Sequence, residues 1–211
     1  MSAPVWGMVI DVDACTGCGA CMAACGVENN IAPGSGMDWI TLERRSNGRA
    51  FPDSDAAFLP RPCMHCANPP CVPVCPTGAT RVSSLGGIVS QTTPQCIGCR
   101  SCVKACPYGV RRFNEREPVW PKGMDAAVTP FAAVRPKGVV EKCTFCVHRL
   151  IARGPEGYTT ACAEACPTGA ITFGDVSGIS LGEDMFVILP QKGAKPRVAY
   201  VSWRSWLRGE K

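Results

Sequence analysis

Sixteen cysteines fall into four groups of four, Cys15-Cys18-Cys21-Cys25, Cys63-Cys66-Cys71-Cys75, Cys96-Cys99-Cys102-Cys106 and Cys143-Cys146-Cys162-Cys166, and none is left over. A chain of 211 residues with so many thiols in so regular a pattern must fold around whatever those thiols bind. Three of the groups end in Cys-Pro. Four thiolates per group at these short spacings are the ligand set of a cubane cluster, so the pattern predicts four [4Fe-4S] clusters and a protein that carries electrons.

Composition agrees with metal-dependent folding. Apolar residues make up 46% of the chain only when cysteine is counted, and 22 Gly and 19 Pro favour short elements and many turns over a large sheet or long helices. Metal binding is therefore expected to supply much of the folding free energy. A disulfide scaffold is disfavoured because Met1-Ser-Ala-Pro-Val-Trp-Gly-Met lacks the basic, apolar and small-residue regions of a secretory leader. The longest aliphatic runs, such as Phe186–Leu189, are far shorter than the roughly 20 residues of a membrane span.

The formal charge of +5 does not predict a nucleic-acid surface. Each oxidised cubane with its thiolates carries about −2, so four of them make the assembled protein net negative, about −3. Arg100, Lys104, Arg111, Arg112, Lys142, Arg149 and Arg153 lie near the ligands and read as partial counterions that also tune reduction potential.

In a two-cluster ferredoxin arrangement each Cys-x2-Cys-x2-Cys-x3-Cys-Pro run gives three ligands to one cluster and its fourth to the other. Between the second and third groups, Ala79–Val82, Ser84–Gly87 and Ile88–Ser90 read as strand, glycine turn and returning strand, so these groups form a local unit. The first and fourth groups must then pair across the chain, with Met8–Val12 and Ala170–Phe173 as strands that meet. The expected ligand sets are Cys15, Cys18, Cys21 and Cys166; Cys25, Cys143, Cys146 and Cys162; Cys63, Cys66, Cys71 and Cys106; and Cys75, Cys96, Cys99 and Cys102.

The fold class is accordingly α+β: two nested ferredoxin-like double-cubane units with pseudo-twofold repetition, small strands, short helices and irregular excursions. Residues 1–30 with 138–175 form the outer unit and 61–113 the inserted one. Segments 31–60 and 114–137 are partner-facing excursions, the first with a strand at Trp39–Glu43 and the second irregular and proline-rich. Residues 176–211 are a C-terminal docking segment that starts as a strand and ends with Trp203 and Trp206 among arginines. Gly17, Gly19 and Gly98 ease the cysteine turns, and the fourth cysteine of each run is expected to open or sit in a short helix.

Zinc is the competing ligand, since Cys143-x2-Cys146-x15-Cys162-x3-Cys166 taken alone has ribbon spacing. Three cysteines at two-residue intervals before Cys-Pro do not, and the first group needs the fourth as its partner. His65 and His148 are unnecessary as ligands and read as packing or tuning residues. No nucleophile–base pair, open metal position or phosphate loop suggests catalysis by this chain.

These residues resemble the four-cluster iron–sulfur subunits of molybdopterin oxidoreductases of the dimethyl sulfoxide, polysulfide and tetrathionate reductase type. The resemblance is carried by Gly7–Asp11 before the first group, Cys63-Met-His-Cys-Ala-Asn-Pro-Pro-Cys-Val-Pro-Val-Cys-Pro-Thr-Gly-Ala79 and Cys96-Ile-Gly-Cys-Arg-Ser-Cys-Val-Lys-Ala-Cys-Pro-Tyr-Gly109. Lys142–Arg149, Ala165–Ala170 and Lys195–Val198 extend it over nearly the whole chain. It implies a non-catalytic relay between a large molybdenum or tungsten bis-pterin subunit and an integral membrane subunit that exchanges electrons with quinone. The unit of the first and fourth groups would lie nearer the pterin. Some relatives carry Trp at the position of Cys99; cysteine here implies four [4Fe-4S] clusters. Phe113–Lys137 is longer than in the shortest relatives, so its contacts do not carry over. A peripheral place in a membrane-associated complex follows, on the cytoplasmic face or exported with a partner that bears the leader. A free polyferredoxin shuttle and a zinc-stabilised interaction module are the alternatives.

Overall fold

The computed structural model describes residues 3–124 and 128–208, which leaves 125–127 of the second excursion and the extreme ends of the first and last expected segments outside the described residues. Strand β1 (Trp6–Asp11) buries Trp6, Met8 and Ile10, alternate positions that share one face of the strand. Gly7 between them is close-packed: a Cβ there would collide with the Arg197 carbonyl and the Val176 side chain.

Successive segments run as helix α1 (Ala20–Glu28), strands β2 (Thr41–Ser46), β3 (Ala56–Arg61), β4 (Thr80–Val82) and β5 (Val89–Gln91), and helix α2 (Ser101–Ala105). Strands β6 (Arg112–Phe113) and β7 (Val140–Glu141), helices α3 (Val147–Arg153) and α4 (Ala161–Glu164), and strands β8 (Ile171–Asp175), β9 (Met185–Phe186) and β10 (Val198–Val201) complete the order.

β1 is the centre of the largest sheet. It pairs antiparallel with β8, Ile10 opposite Ile171 and Met8 opposite Phe173, and parallel with β10, Ile10 opposite Tyr200; β9 lies antiparallel beyond β10. The sequence thus placed the meeting of Met8–Val12 with Ala170–Phe173 correctly. Ile10, Val198 and Tyr200 are fully buried, and each such apolar side chain contributes about 1.5–3 kcal/mol. The expected hairpin is also present, β4 against β5 with Thr80 opposite Gln91, each strand one residue from the expected bounds.

Two expectations are corrected. Trp39 and Ile40 precede β2 rather than start it, because the Trp39 indole donates to Glu141 Oε2 at 3.0 Å and pulls the backbone out of the β2–β3 hairpin. The fourth cysteine lies in a helix only at Cys25; Cys106 and Cys166 fall just past α2 and α4, and Cys75 lies in a turn. Proline explains this. Pro107, Pro167 and Pro76 exclude the helical conformation from the residue before them, and Cys106 is extended at φ −78° and ψ 111°, whereas Gly26 lets α1 continue. The strand expected at the start of the tail is β10, which belongs to the main sheet, with Leu207 buried beyond it and Arg204 paired to Asp13 and Asp55. Trp203 stays 65% exposed.

The second excursion is irregular but fastened. Asn114 Nδ2 donates to the Arg135 and Pro136 carbonyls and to Glu141 Oε1, Asn30 receives Thr129 N at 2.8 Å, and Arg135 pairs with Glu141 at 3.1 Å in a buried site.

Candidate metal centres

Each cysteine group starts with a Cys-x-x-Cys turn whose third residue has a positive φ: Gly17 at 71°, His65 at 40°, Gly98 at 67° and Phe145 at 55°. This left-handed residue reverses the chain between two thiols so that both face one volume. The next left-handed residues, Gly19, Arg100 and Cys146, start α1, α2 and α3. Two chemically different solutions serve one backbone need: glycine in the first and third groups, an aromatic ring held by packing in the second and fourth.

The Cys-Pro-Thr-Gly-Ala runs match each other as well. Cys75 Sγ has the Thr77 hydroxyl at 3.8 Å, and Cys166 Sγ has that of Thr168 at 3.6 Å. Burial pushes each of these thiols up, but the donors outweigh it, Thr80 N–H and Thr77 at Cys75, Thr168 and the Ile171 and Ala170 N–H groups at Cys166. Both fall below the ordinary thiol value.

Cys15, Cys18, Cys21 and Cys166 line one small recess, with Leu42 and Pro60 in its wall. Cys75, Cys96, Cys99 and Cys102 line a second beside Val140. The remaining eight thiols act on one another electrostatically in two sets. Cys25 feels Cys143, Cys146 and Cys162, and Cys66 feels Cys63, Cys106 and Cys71. Each of the four places gathers thiols from two of the four sequence groups. Since Cys166 lines the recess of the first group, the zinc-ribbon set is divided between two places.

Such packing is unfavourable for thiolates without metal. Burial first, then neighbouring thiolates, push Cys21 and Cys66 up to about 12 and Cys25 and Cys143 well above their ordinary value. A bound cationic cluster reverses that balance and deprotonates them. Among the described residues no three Cys, His, Asp or Glu side chains converge on a single-ion site, where zinc would draw its sulfurs to about 3.8 Å of each other. All sixteen cysteines are free of disulfides.

A buried donor without a partner sharpens the fit. The buried Tyr108 hydroxyl has no close hydrogen-bond partner among the described residues; the Cys66 thiol is the group it bears on first, with Cys106 and Cys63 beyond. A cluster held by those thiols would offer this hydroxyl a sulfur acceptor. Backbone N–H groups of Val140 and Phe145 approach Cys96 and Cys143 Sγ at 3.4 Å in the same manner.

Both histidines are committed elsewhere. His65 Nδ1 accepts from Val89 N at 3.1 Å and Nε2 donates to the Cys143 carbonyl at 3.0 Å, while burial holds its pKa well below the ordinary value and the ring neutral. His148 meets Glu28 Oε1 at 2.6 Å. Sequence reasoning passed over Tyr108 and Asn29, whose Nδ2 reaches Cys25 Sγ at 3.6 Å. Their positions just after the fourth cysteine of a group are the signal that could have found them.

Comparison with known proteins agrees with this geometry. Two models of a 4Fe-4S dicluster domain match, one over residues 54–127 and the other over residues 14–79 and 95–170. The chain is 48% identical to the iron–sulfur cluster-binding subunit of a menaquinone reductase from Nitratidesulfovibrio vulgaris, over 96% of this chain and 91% of that one. It is 37% identical to the iron–sulfur subunit of a Shewanella arsenate respiratory reductase, covering 92% and 95% of the two chains. A third relative, a selenate reductase subunit from Mesobacillus selenatarsenatis, is 34% identical over 93% of this chain and 72% of its own length. The chain belongs to the 4Fe-4S dicluster family, among the iron–sulfur subunits of molybdopterin-type oxidoreductases. It is a non-catalytic electron-transfer subunit with four [4Fe-4S] clusters.

Proposed function

We propose that the chain relays electrons along four clusters in the order of its recesses, between a large molybdenum or tungsten bis-pterin catalytic subunit and an integral membrane subunit that reacts with quinone. Bound clusters supply one-electron redox chemistry; the chain's own residues fix spacing, exclude water and set charge. The first cluster takes Cys15, Cys18, Cys21 and Cys166, the second Cys25, Cys143, Cys146 and Cys162. The third takes Cys63, Cys66, Cys71 and Cys106, the fourth Cys75, Cys96, Cys99 and Cys102. Residues 1–30 with 138–175 then form one double-cubane unit around an inserted unit at 61–113, and 31–60, 114–137 and 176–211 meet partners.

The observation that carries this reading is a gradient of burial. Cys18 in the first set and Cys99 in the last are exposed, while Cys25, Cys143, Cys146 and Cys162 are all buried, as are Cys63, Cys66 and Cys71. Electrostatic contacts between Cys21 and Cys162, and between Cys143 and Cys63, join first set to second and second to third. An exposed thiol at each terminus suits exchange with two partners, and buried middle clusters suit internal transfer. The pterin-facing end is the first set, by the family resemblance. Among the described residues no helix is long and apolar enough to cross a membrane, and the relatives' reductase complexes support a peripheral position on either membrane face.

Anaerobic purification with iron, sulfide and zinc analysis tests the reading. About 16 iron and 16 sulfide per chain, with a copurifying large pterin-binding chain, is the expected result. Full iron with no partner would replace it with a free electron shuttle, and zinc without sulfide would overturn it.

A further inference from the structure

The three hydrogen-bond donors nearest the third set of thiols are unusual for their burial and their charge. Arg111 is 3% exposed, and its Nη2 donates to Cys71 Sγ at 3.1 Å. Thr80 Oγ1 and Gln91 Oε1, at 3.2 and 3.1 Å from Nη1, fix the guanidinium plane. Lys142 is 1% exposed; its ammonium donates to the Val89 and Cys143 carbonyls, and its charge acts on Cys63, Cys143 and Cys71. Among the described residues neither cation is paired with a carboxylate. The Tyr108 hydroxyl, facing Cys66, is the third donor.

The second set is surrounded differently. Its side-chain donors are neutral: the Thr160 hydroxyl, at 3.3 Å from Cys162 Sγ, and the Asn29 amide, at 3.6 Å from Cys25 Sγ and 3.9 Å from Cys146 Sγ. The Glu28 carboxylate bears on Cys146, and Arg149 beside it is neutralised by Glu28 and Glu164. Nor does the motif demand donors. Two and five residues after Cys25, the positions that hold Tyr108 and Arg111 after Cys106, stand Val27, which is exposed, and Asn30, which is bonded to Thr129.

We propose that Tyr108, Arg111 and Lys142 act as positioning residues that make the cluster of Cys63, Cys66, Cys71 and Cys106 the highest in reduction potential of the four. Adding an electron adds negative charge, and buried cations and donors to sulfur stabilise that state strongly where water cannot screen it. Transfer into the third set from either neighbour is then downhill, and an electron rests there. The inference depends on the ligand assignment proposed above.

The three residues differ in reach, which gives a fingerprint. Tyr108 faces only the third set, Arg111 also reaches Cys102 of the fourth, and Lys142 also reaches Cys143 of the second. The experiment is a redox titration monitored by electron paramagnetic resonance on the purified complex. Cys66→Ser identifies the signal of the third cluster. That signal is expected to titrate at the highest potential. Tyr108→Phe should lower it alone, Arg111→Gln should lower it with the fourth, and Lys142→Gln should lower it with a smaller change in the second, while Lys142→Arg restores it. Loss of either cation is expected to change the reduced-to-oxidised ratio at fixed potential about tenfold, equal to about 59 mV for one electron. Tyr108→Phe removes a single neutral hydroxyl that bears on the thiols of the third set alone, so it tests the idea even if the cation variants fail to fold. A Cys66→Ser signal that is not the highest, or that Tyr108→Phe leaves unmoved, overturns the inference. Cys66→Ser altering two signals would instead show the ligand assignment wrong, and the inference would fall with it.

Discussion

The rings of His65 and Phe145 lie face to face with centroids 3.6 Å apart and planes 19° from parallel. Each is the left-handed third residue of its Cys-x-x-Cys turn. The two turns without glycine therefore brace each other, and the hydrogen bond from His65 to the Cys143 carbonyl closes the joint. Phe145→Ala should cost about 3–5 kcal/mol and leave His65 without its stacking partner. Thermal unfolding with iron analysis checks it: iron is expected to be lost from the second and third sets together, and loss confined to the first or fourth would contradict the bracing role.

Crossing ligands give a paired prediction. Cys166→Ser should damage the cluster of Cys15, Cys18 and Cys21 while that of Cys143, Cys146 and Cys162 persists; Cys106→Ser should damage that of Cys63, Cys66 and Cys71. Spectroscopy that finds the losses interchanged would refute the nested pairing.

Gly98 and Gly109 separate strain from crowding. Both have positive φ, but a Cβ at Gly98 would strike the Gly138 carbonyl, whereas one at Gly109 meets nothing within 4 Å. Gly109→Ala is expected to cost only the left-handed penalty, about 1–2 kcal/mol. Gly98→Ala should cost clearly more and loosen the fourth cluster, as denaturant melts and iron retention would register.

Glu28 gives a pH dependence. Hydrogen bonding to Arg149 holds its carboxyl below the usual carboxylate range, with burial opposing and His148 assisting. A depressed folded pKa stabilises the fold above the unfolded value of about 4.3, and this is lost as pH falls through the folded value. The difference in Tm between wild type and Glu28→Gln should therefore be full at pH 7 and close in acid. A difference unchanged down to pH 3 would rule out this ion pair as its source.

Iron chelation should unfold the chain unevenly. The smaller buried core consists of Cys71, Val89, Cys102 and Val140, half of it ligands, whereas the larger includes Ile10, Leu59, Val198 and Tyr200. Hydrogen exchange is expected to lose protection first in β4, β5 and α2 and later in the four-stranded sheet; the reverse order would show that the sheet depends on metal more than its packing indicates.

Much of this was legible from spacing alone. Cysteine intervals are local geometry, so the four groups followed from the chain, as did the β4–β5 turn and the meeting of β1 with β8. What was not legible depends on distant partners. Trp39 leaves its strand for Glu141, α1 outruns its cysteine because Gly26 rather than proline follows, and the tail supplies β10 to a sheet begun at the other end. Arg111 and Lys142 were visible as nearby charges, but only the fold shows them buried and turned toward Cys63 and Cys71, with Cys102 also in reach of Arg111 and Cys143 of Lys142.

The strand pairing also has a consequence for biosynthesis. β4 and β5 are neighbours in sequence, but β1 waits for β8 and β10, which emerge more than 150 residues later. On the proposed ligand pairing, every thiol of the second and third groups is synthesised before the fourth group that completes the sites of the first, so the order of synthesis runs from the middle of the chain outward.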